Sequence, residues 1–206
     1  MLIFDKVSVR RSGQQLFQSV SFSLAPGETI TLHGESGLGK STFLQAMIQG
    51  ESEVELAGRI ELDGQSIDSK IRLSDCSQSV FQDPLLFPHL SVGANIAISI
   101  QTLSRSERNH RINQLLNQLG LDGMKDQDPF QLSRGQMMRV AVARALAPHP
   151  KVLLLDEPFS ALDVETRESV KAVLFQQIKI DKAYAILVTH HADDRPSGGA
   201  SLCLTR

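Results

Sequence analysis

Two stretches of the chain hold residues whose types and spacing could do chemistry. The first is Gly34-Glu35-Ser36-Gly37-Leu38-Gly39-Lys40-Ser41-Thr42. It places Gly, four residues, Gly, Lys and then Ser in the order of a phosphate-cradling loop. Gly34, Gly37 and Gly39 allow positive φ and a close backbone approach to a ligand. Successive N–H groups can then line one concavity and hold phosphate oxygens. Lys40 brings a positive charge to β- and γ-phosphates, and Ser41 offers a hydroxyl to Mg²⁺, which prefers hard oxygen ligands. The second stretch is Asp156-Glu157, at the end of the apolar run Lys151–Asp156. Ligands of parallel sheets bind at such strand ends. An Asp there can hold Mg²⁺ directly or through water, and Glu157 can polarise an attacking water as a general base. The lesser alternative for the pair taken alone is a solvated acidic turn before Pro158, and it weakens further beside a phosphate loop.

The elements around these stretches suit that chemistry. Thr29–His33 reads as a buried strand and Ser41–Gln49 as a helix closed by Gly50, which aims a helix N-terminus at the anion. Leu2–Val9 and Leu16–Leu24 alternate apolar and polar residues, as half-buried strands do. Arg10–Gly13 and Pro26-Gly27 are turns. Gly58–Leu62 is a short strand running into the favoured hairpin turn Asp63-Gly64. After the strand Ser77–Phe81 the pattern becomes helical. Asn95–Ile100 is short and apolar, and Glu107–Leu119 carries Ile112, Leu115, Leu116 and Leu119 on one helical face. Gly120 ends that helix. Ser133 precedes a helix over Gln136–Leu146, halted by Pro148 and Pro150. Lys151–Asp156 and Tyr184–Thr189 are continuous apolar strands of a sheet covered on both faces. A helix over Val164–Ile178 lies between them, and Ser201–Thr205 is a final edge strand. The expected division is a core of residues 1–83 and 149–206, with a helical insertion at 84–148.

Composition excludes several classes. With 206 residues, 41% hydrophobic and 21% charged, the chain has the profile of a soluble globular protein. A net charge of −2 gives no basic surface for nucleic acid. Cys76 and Cys203 stand far apart, outside any metal spacing, which suits a reducing compartment. No signal-peptide plan opens the chain, and no stretch approaches the roughly 20 apolar residues of a membrane helix.

Taken in order, the motifs resemble those of the nucleotide-binding domain of ATP-binding-cassette (ABC) transporters over essentially the whole chain. Gly34–Thr42 is similar to Walker A, Val80-Phe81-Gln82-Asp83 to the Q-loop, and Leu132-Ser133-Arg134-Gly135-Gln136 to the signature. Val152–Pro158 is similar to Walker B with its glutamate, Ser160-Ala161-Leu162-Asp163 to the D-loop, and Val188-Thr189-His190 to the H-loop. The resemblance implies an α/β fold: a P-loop NTPase, RecA-like core with an antiparallel β subdomain and a helical insertion carrying the signature. It implies ATP and Mg²⁺ as ligands. Gln82 would join Mg²⁺ and the water network to the helical part, and Asp156 and Ser41 would serve the metal. Ser133, Arg134, Gly135 and Gln136 would face the γ-phosphate of ATP held by a second copy, where a capped helix N-terminus carries partial positive charge. His190 would contact the γ-phosphate and orient Glu157 and the water. As isolated residues, Gln82 and His190 carry no such signal.

Three residues depart from the family pattern. Arg134 replaces a signature glycine, and would be strained if that position needs positive φ. Arg11 stands where an aromatic usually stacks on adenine; a guanidinium can also stack on a base, while Phe17, in an alternating run, suits the core. His191 stands where an acidic residue usually follows. The chain stops soon afterwards, so no appended regulatory domain is expected. The resemblance implies the ATPase subunit of a bacterial importer of small solutes, on the cytoplasmic face of the membrane. Its partners would be a second copy, integral permease subunits and a solute-binding protein, with no nucleic acid. The Pro84-Leu85-Leu86-Phe87-Pro88 segment would dock the permease. An exporter or lipoprotein-release ATPase, a soluble non-transport ABC ATPase and a binding-only cassette remain as alternatives.

Overall fold

The computed structural model describes residues 1–48, 54–67, 73 and 76–205. The expected helix end at Gln49 and stop at Gly50 lie outside the described residues. The chain forms two compact units: Met1–Gln78, Lys151–Asp156 and Ile178–Arg206 in one, Ser79–Pro150 and Glu157–Gln177 in the other.

The first unit is built on two sheets. One is antiparallel: β1 (Leu2–Arg11) pairs with β2 (Gln14–Gln15), β3 (Val20–Leu24) and β5 (Val54–Leu62), and β5 pairs with β6 (Gln65–Ser66). β5 and β6 meet at Asp63-Gly64, both at positive φ (51° and 82°), as a tight hairpin turn requires. The other sheet has the order β10 (Ala200–Cys203), β4 (Thr29–His33), β9 (Tyr184–Val188), β8 (Val152–Asp156), β7 (Ser77–Val80). β10, β4, β9 and β8 run parallel. β8 and β9 are buried at every residue, which is why they read as unbroken apolar runs.

Helix α1 (Lys40–Ile48) packs on this core through Phe43, Leu44 and Met47. Phe43 meets Phe17 edge-on at 5.6 Å and Phe4 at 6.0 Å. Full burial of a Phe contributes about 1.5–3 kcal/mol, so Phe43 anchors the helix that follows the phosphate loop. Phe17 is a core residue, as its alternation suggests. The strand expected over Leu16–Leu24 is shorter, beginning at Val20. Leu16 N instead donates to Val9 O and Gln18 N to Thr205 O, and Phe17 turns inward onto Phe43. Leu16 thus continues the β1–β2 ladder, and it is Phe17 that packing against α1 draws out of the strand. The turn expected over Arg10–Gly13 is also tighter: β1 continues through Arg11, which pairs with Gln14, and the reversal is Ser12-Gly13 at φ 50° and 78°.

The second unit holds α2 (Val92–Ala97), α3 (Arg105–Gln118), α4 (Arg134–Leu146) and most of α5 (Val164–Asp181). Serine caps set the starts of the first three. Ser91 Oγ accepts from Ala94 N at 3.3 Å, so α2 begins before Asn95. Ser104 with Glu107, and Ser133 with Gln136, form complete capping boxes, each cap being worth about 1 kcal/mol. Ile112, Leu115, Leu116 and Leu119 are buried on one face. The Arg111 guanidinium donates to Leu146 O at 2.9 Å and Ala147 O at 3.3 Å, satisfying carbonyls at the end of α4. Among the described residues, no helix is long and apolar enough to cross a membrane.

Candidate nucleotide site

The phosphate loop joins β4 to α1. Gly34, Gly37 and Gly39 have φ of 152°, 79° and 93°. At Gly34 a Cβ would lie 2.8 Å from Leu204 O, and at Gly39 2.6 Å from Leu16 Cδ1; both positions need glycine for conformation and for space. Leu38 points into the core while Glu35, Ser36, Gly37 and Ser41 are exposed. Thr42 is half-buried. The loop is thus anchored by one apolar side chain and presents its backbone outward. Lys40 Nζ donates to Gly34 O at 2.9 Å and Glu35 O at 2.8 Å, which carries the ammonium over the loop. Phe43 N bonds Gly39 O at 2.8 Å, so the loop feeds directly into the positive end of α1. His33, the last residue of β4, has its pKa lowered by burial first and then by the Arg195 and Lys40 charges.

Sheet register carries the other groups to the same edge. Leu32 pairs with Val188, and Val188 with Asp156. The C-terminal ends of β4, β9 and β8 therefore align, and with them the phosphate loop, the Thr189-His190 segment and Asp156. Asp156 is buried. Glu157 is buried as well and sits at φ 49°, a left-handed conformation costly for a residue with a Cβ. Such strain clusters at functional sites. Ser160 N and Oγ both donate to Glu157 O, at 3.2 and 3.0 Å, which helps hold that conformation. Ahead of His190, Thr189 Oγ1 donates to Asp194 Oδ2 at 2.8 Å and accepts from His191 N at 3.1 Å. His190 is exposed, with its ring 3.9 Å from that of His191.

A cavity of about 530 Å³ is lined by Gln14, Gln15, Leu16, Phe17, Gln18 and Gly37. It opens beside the phosphate loop, and Arg11, exposed at the end of β1, is not among its described lining residues. Gln15 Nε2 donates to Phe17 O at 2.8 Å, which orders this wall. In the sequence these glutamines show only as a polar pair, Gln14-Gln15, directly after the Ser12-Gly13 turn, and Gln18 three residues on.

In the second unit, Ser133 Oγ accepts from Gln136 N at 3.2 Å and Gln136 Oε1 accepts from Ser133 N at 2.8 Å. Arg134 is the first residue of α4 and is absent from the positive-φ residues, so its substitution for glycine brings no backbone strain. Gly135 is different. A Cβ there would lie 3.1 Å from Ala161 O and 3.4 Å from Leu162 Cδ2, so the D-loop segment packs against the start of α4 only because Gly135 is bare. Asp163 Oδ1 accepts from Thr166 N at 3.0 Å, a backbone bond that holds its carboxyl below the usual range. Gln82 is exposed and, with Asp83, Pro84, Arg134 and Met137, lines a cavity of about 510 Å³. Among the described residues no group of three or more His, Cys, Asp or Glu could cage a metal. Ser41 and Asp156 offer hard oxygens, a donor set that fits Mg²⁺ shared with phosphates.

Known proteins match this geometry. The sequence model of a family described as ABC transporter matches residues 17–160. The uncharacterized ABC transporter ATP-binding protein YnjD of Escherichia coli (strain K12) is 38% identical over 204 residues, covering 98% of this chain and 94% of that protein. The Fe(3+) ions import ATP-binding protein FbpC 2 of Haemophilus influenzae is 40% identical over 187 residues; the match covers 88% of this chain and 52%, about half, of the relative. The aliphatic sulfonates import ATP-binding protein SsuB of Bacillus subtilis is 38% identical, with 93% of this chain and 72% of the relative covered. Among solved structures, a dimeric form of the bacterial ABC transporter cassette MJ0796 superposes with a TM-score of 0.83 at 28% identity, over 100% of this chain and 94% of that one. A dimeric post-hydrolysis state of MJ0796 bound to ADP and Pi gives 0.79 at 28% identity, over 94% and 90%. The family model, the relatives and the solved structures agree: this chain is a member of the ABC transporter family and has the fold of its ATPase cassettes.

Proposed function

We propose that this chain is the ATP-binding and ATP-hydrolysing subunit of a bacterial ABC importer. Two copies sandwich ATP, and separate permease subunits carry a small solute delivered by a solute-binding protein. The observation that carries the reading is one chain holding both a phosphate loop and a capped helix start bearing Ser133, Gly135 and Gln136. The phosphate loop can bind only one side of a triphosphate, and a second copy's helix start supplies N–H donors to the other. The import relatives, FbpC 2 and SsuB among them, support the direction of transport. The chain works on the cytoplasmic face of the membrane, where ATP is available.

Each residue has a role in this account. The loop N–H groups of Glu35–Thr42 and the Lys40 ammonium bind the phosphates. Ser41, Asp156 and Gln82 would hold Mg²⁺, which would supply positive charge against the phosphates. Glu157 takes the proton of the attacking water, and His190 contacts the γ-phosphate and orients that water. Residues 84–148 act as the signature-bearing helical part, and 1–83 with 149–206 as the ATP-binding core.

Arg11 is assigned to the face of the base. Arg11→Tyr is expected to tighten ATP about 5-fold, since base stacking on an aromatic contributes roughly 1–3 kcal/mol and the guanidinium already supplies part of it. Equilibrium titration with ATP and GTP measures this. Unchanged affinity would instead assign the base to the cavity walled by Gln14–Gln18.

Permease docking is assigned to the segment after Gln82. A groove of about 330 Å³ is lined by Pro84, Leu85, Leu86, Pro88, Phe130 and Met137, among others. Leu85, Phe87 and Phe130 are exposed, at 56%, 43% and 80%, and exposed apolar side chains near one groove are what a docking partner covers. Phe87 contributes its backbone to the fold, its N–H donating to Asn95 Oδ1 at 2.8 Å and its carbonyl accepting from Asn95 Nδ2 at 3.1 Å. Its half-free ring is the candidate anchor. Phe87→Asp is expected to leave folding and ATP binding intact and to weaken permease association at least 10-fold. Pull-down from membranes producing the chain together with its permease subunits measures it. An unfolded Phe87→Asp chain would return Phe87 to the core.

A further inference from the structure

Arg144 lies in the last turn of α4, ten residues beyond the signature arginine, and no nucleotide role falls to it. It is half-buried. Its guanidinium donates through Nη1 to Leu85 O at 2.9 Å and through Nη2 to Pro84 O at 3.0 Å. Two consecutive carbonyls are thus gripped by two nitrogens of one planar guanidinium, where a lysine would have to reach both from a single nitrogen. The residue gripped is strained: Leu85 sits at φ 46°, where a side chain with a Cβ is disfavoured. The backbone of Arg144 is itself tied down, because Ser99 Oγ lies 2.9 Å from both Arg144 O and Ile96 O and shares its one proton between them. Leu85 and Pro84 line the apolar groove together with Met137 of α4. All these residues belong to one compact unit.

We propose that Arg144 is a positioning residue that holds the Pro84–Leu85 turn in its left-handed shape, making the signature helix and the groove loop one moving part. The physical argument is local. Without the fork, two carbonyls lose charged donors, and Leu85 is free to relax toward negative φ. That relaxation would re-aim the Leu85 and Leu86 side chains and reshape the groove. The functional meaning rests on the reading of that groove as the permease dock; the structural claim does not.

The test is amide hydrogen exchange on the full chain without any permease, so its failure is separate from failure of the docking assignment. Arg144→Met is expected to accelerate exchange over residues 85–90 at least 10-fold, with α3 and α1 unchanged and ATP affinity within about 2-fold. Arg144→Lys, which keeps the charge and loses the fork, is expected to fall between, and serves as the reading if Arg144→Met does not fold. Leu85→Gly removes the cost of positive φ. In the Arg144→Met background it should restore most of the lost protection, a rescue that a general packing role would not give. Unchanged exchange over 85–90 in the folded variants overturns the proposal. So does acceleration spread equally through α3, or an absence of rescue by Leu85→Gly.

Discussion

Replacing Lys40 with alanine is expected to raise the dissociation constant for ATP at least 100-fold. Lys40 Nζ already makes two hydrogen bonds to loop carbonyls, at 2.9 and 2.8 Å, so the ammonium is held over the concavity before any phosphate arrives. A charge-assisted hydrogen bond contributes about 1.5–3 kcal/mol, and the third N–H of the ammonium is left for a triphosphate, together with the full positive charge. The loss extends beyond the charge, because the two carbonyls no longer share a donor that closes the loop. Thermal unfolding should move little, since the loop's anchors are Leu38 and the bare glycines against Leu16 and Leu204. Isothermal titration with ATP reads the affinity. A Lys40→Ala chain binding ATP as the native chain does would remove the phosphate loop from the account.

Glu157→Gln is expected to lower kcat by about 10²–10⁴-fold, the usual range for loss of a general base, with ATP binding retained. The geometry favours a clean separation of the two effects. Glutamine keeps the size of glutamate, the Ser160 bonds go to the residue 157 carbonyl rather than to its side chain, and the left-handed backbone is held from outside. The substitution therefore removes the proton acceptor without rebuilding the turn. Phosphate release under saturating ATP measures it; turnover at the native rate would show that Glu157 is not the base.

Much of this site was legible in the sequence because its parts are local. Glycine spacing marked the phosphate loop, and the observed φ values explain that spacing at Gly34, Gly37 and Gly39. Ser133 marked one helix start, because a cap is a short-range device; the Ser104 cap, which starts α3 at Arg105 rather than at Glu107, went unread. Less legible were features that depend on distant partners. Alternation over Leu16–Leu24 looked like one strand, yet Leu16 extends the β1–β2 pairing and Phe17 turns onto Phe43. Arg134 carried an open question about strain that only its place as the first residue of α4 answers. The left-handed conformations of Glu157 and Leu85 leave no trace in residue type, since neither residue favours positive φ. Arg144 reads as an ordinary helical arginine, and its meaning comes from two carbonyls some 60 positions away in the chain.

The central claim is that ATP joins two copies of this chain through residues that no single copy can bring to one phosphate. Sedimentation of the Glu157→Gln chain with and without ATP and Mg²⁺ tests it most directly, because the variant binds the nucleotide without consuming it. The account predicts a monomer alone, a dimer with ATP and Mg²⁺, and a return to monomer when Lys40→Ala is added. A Glu157→Gln chain that binds ATP and stays monomeric, or that is equally dimeric without nucleotide, would contradict it.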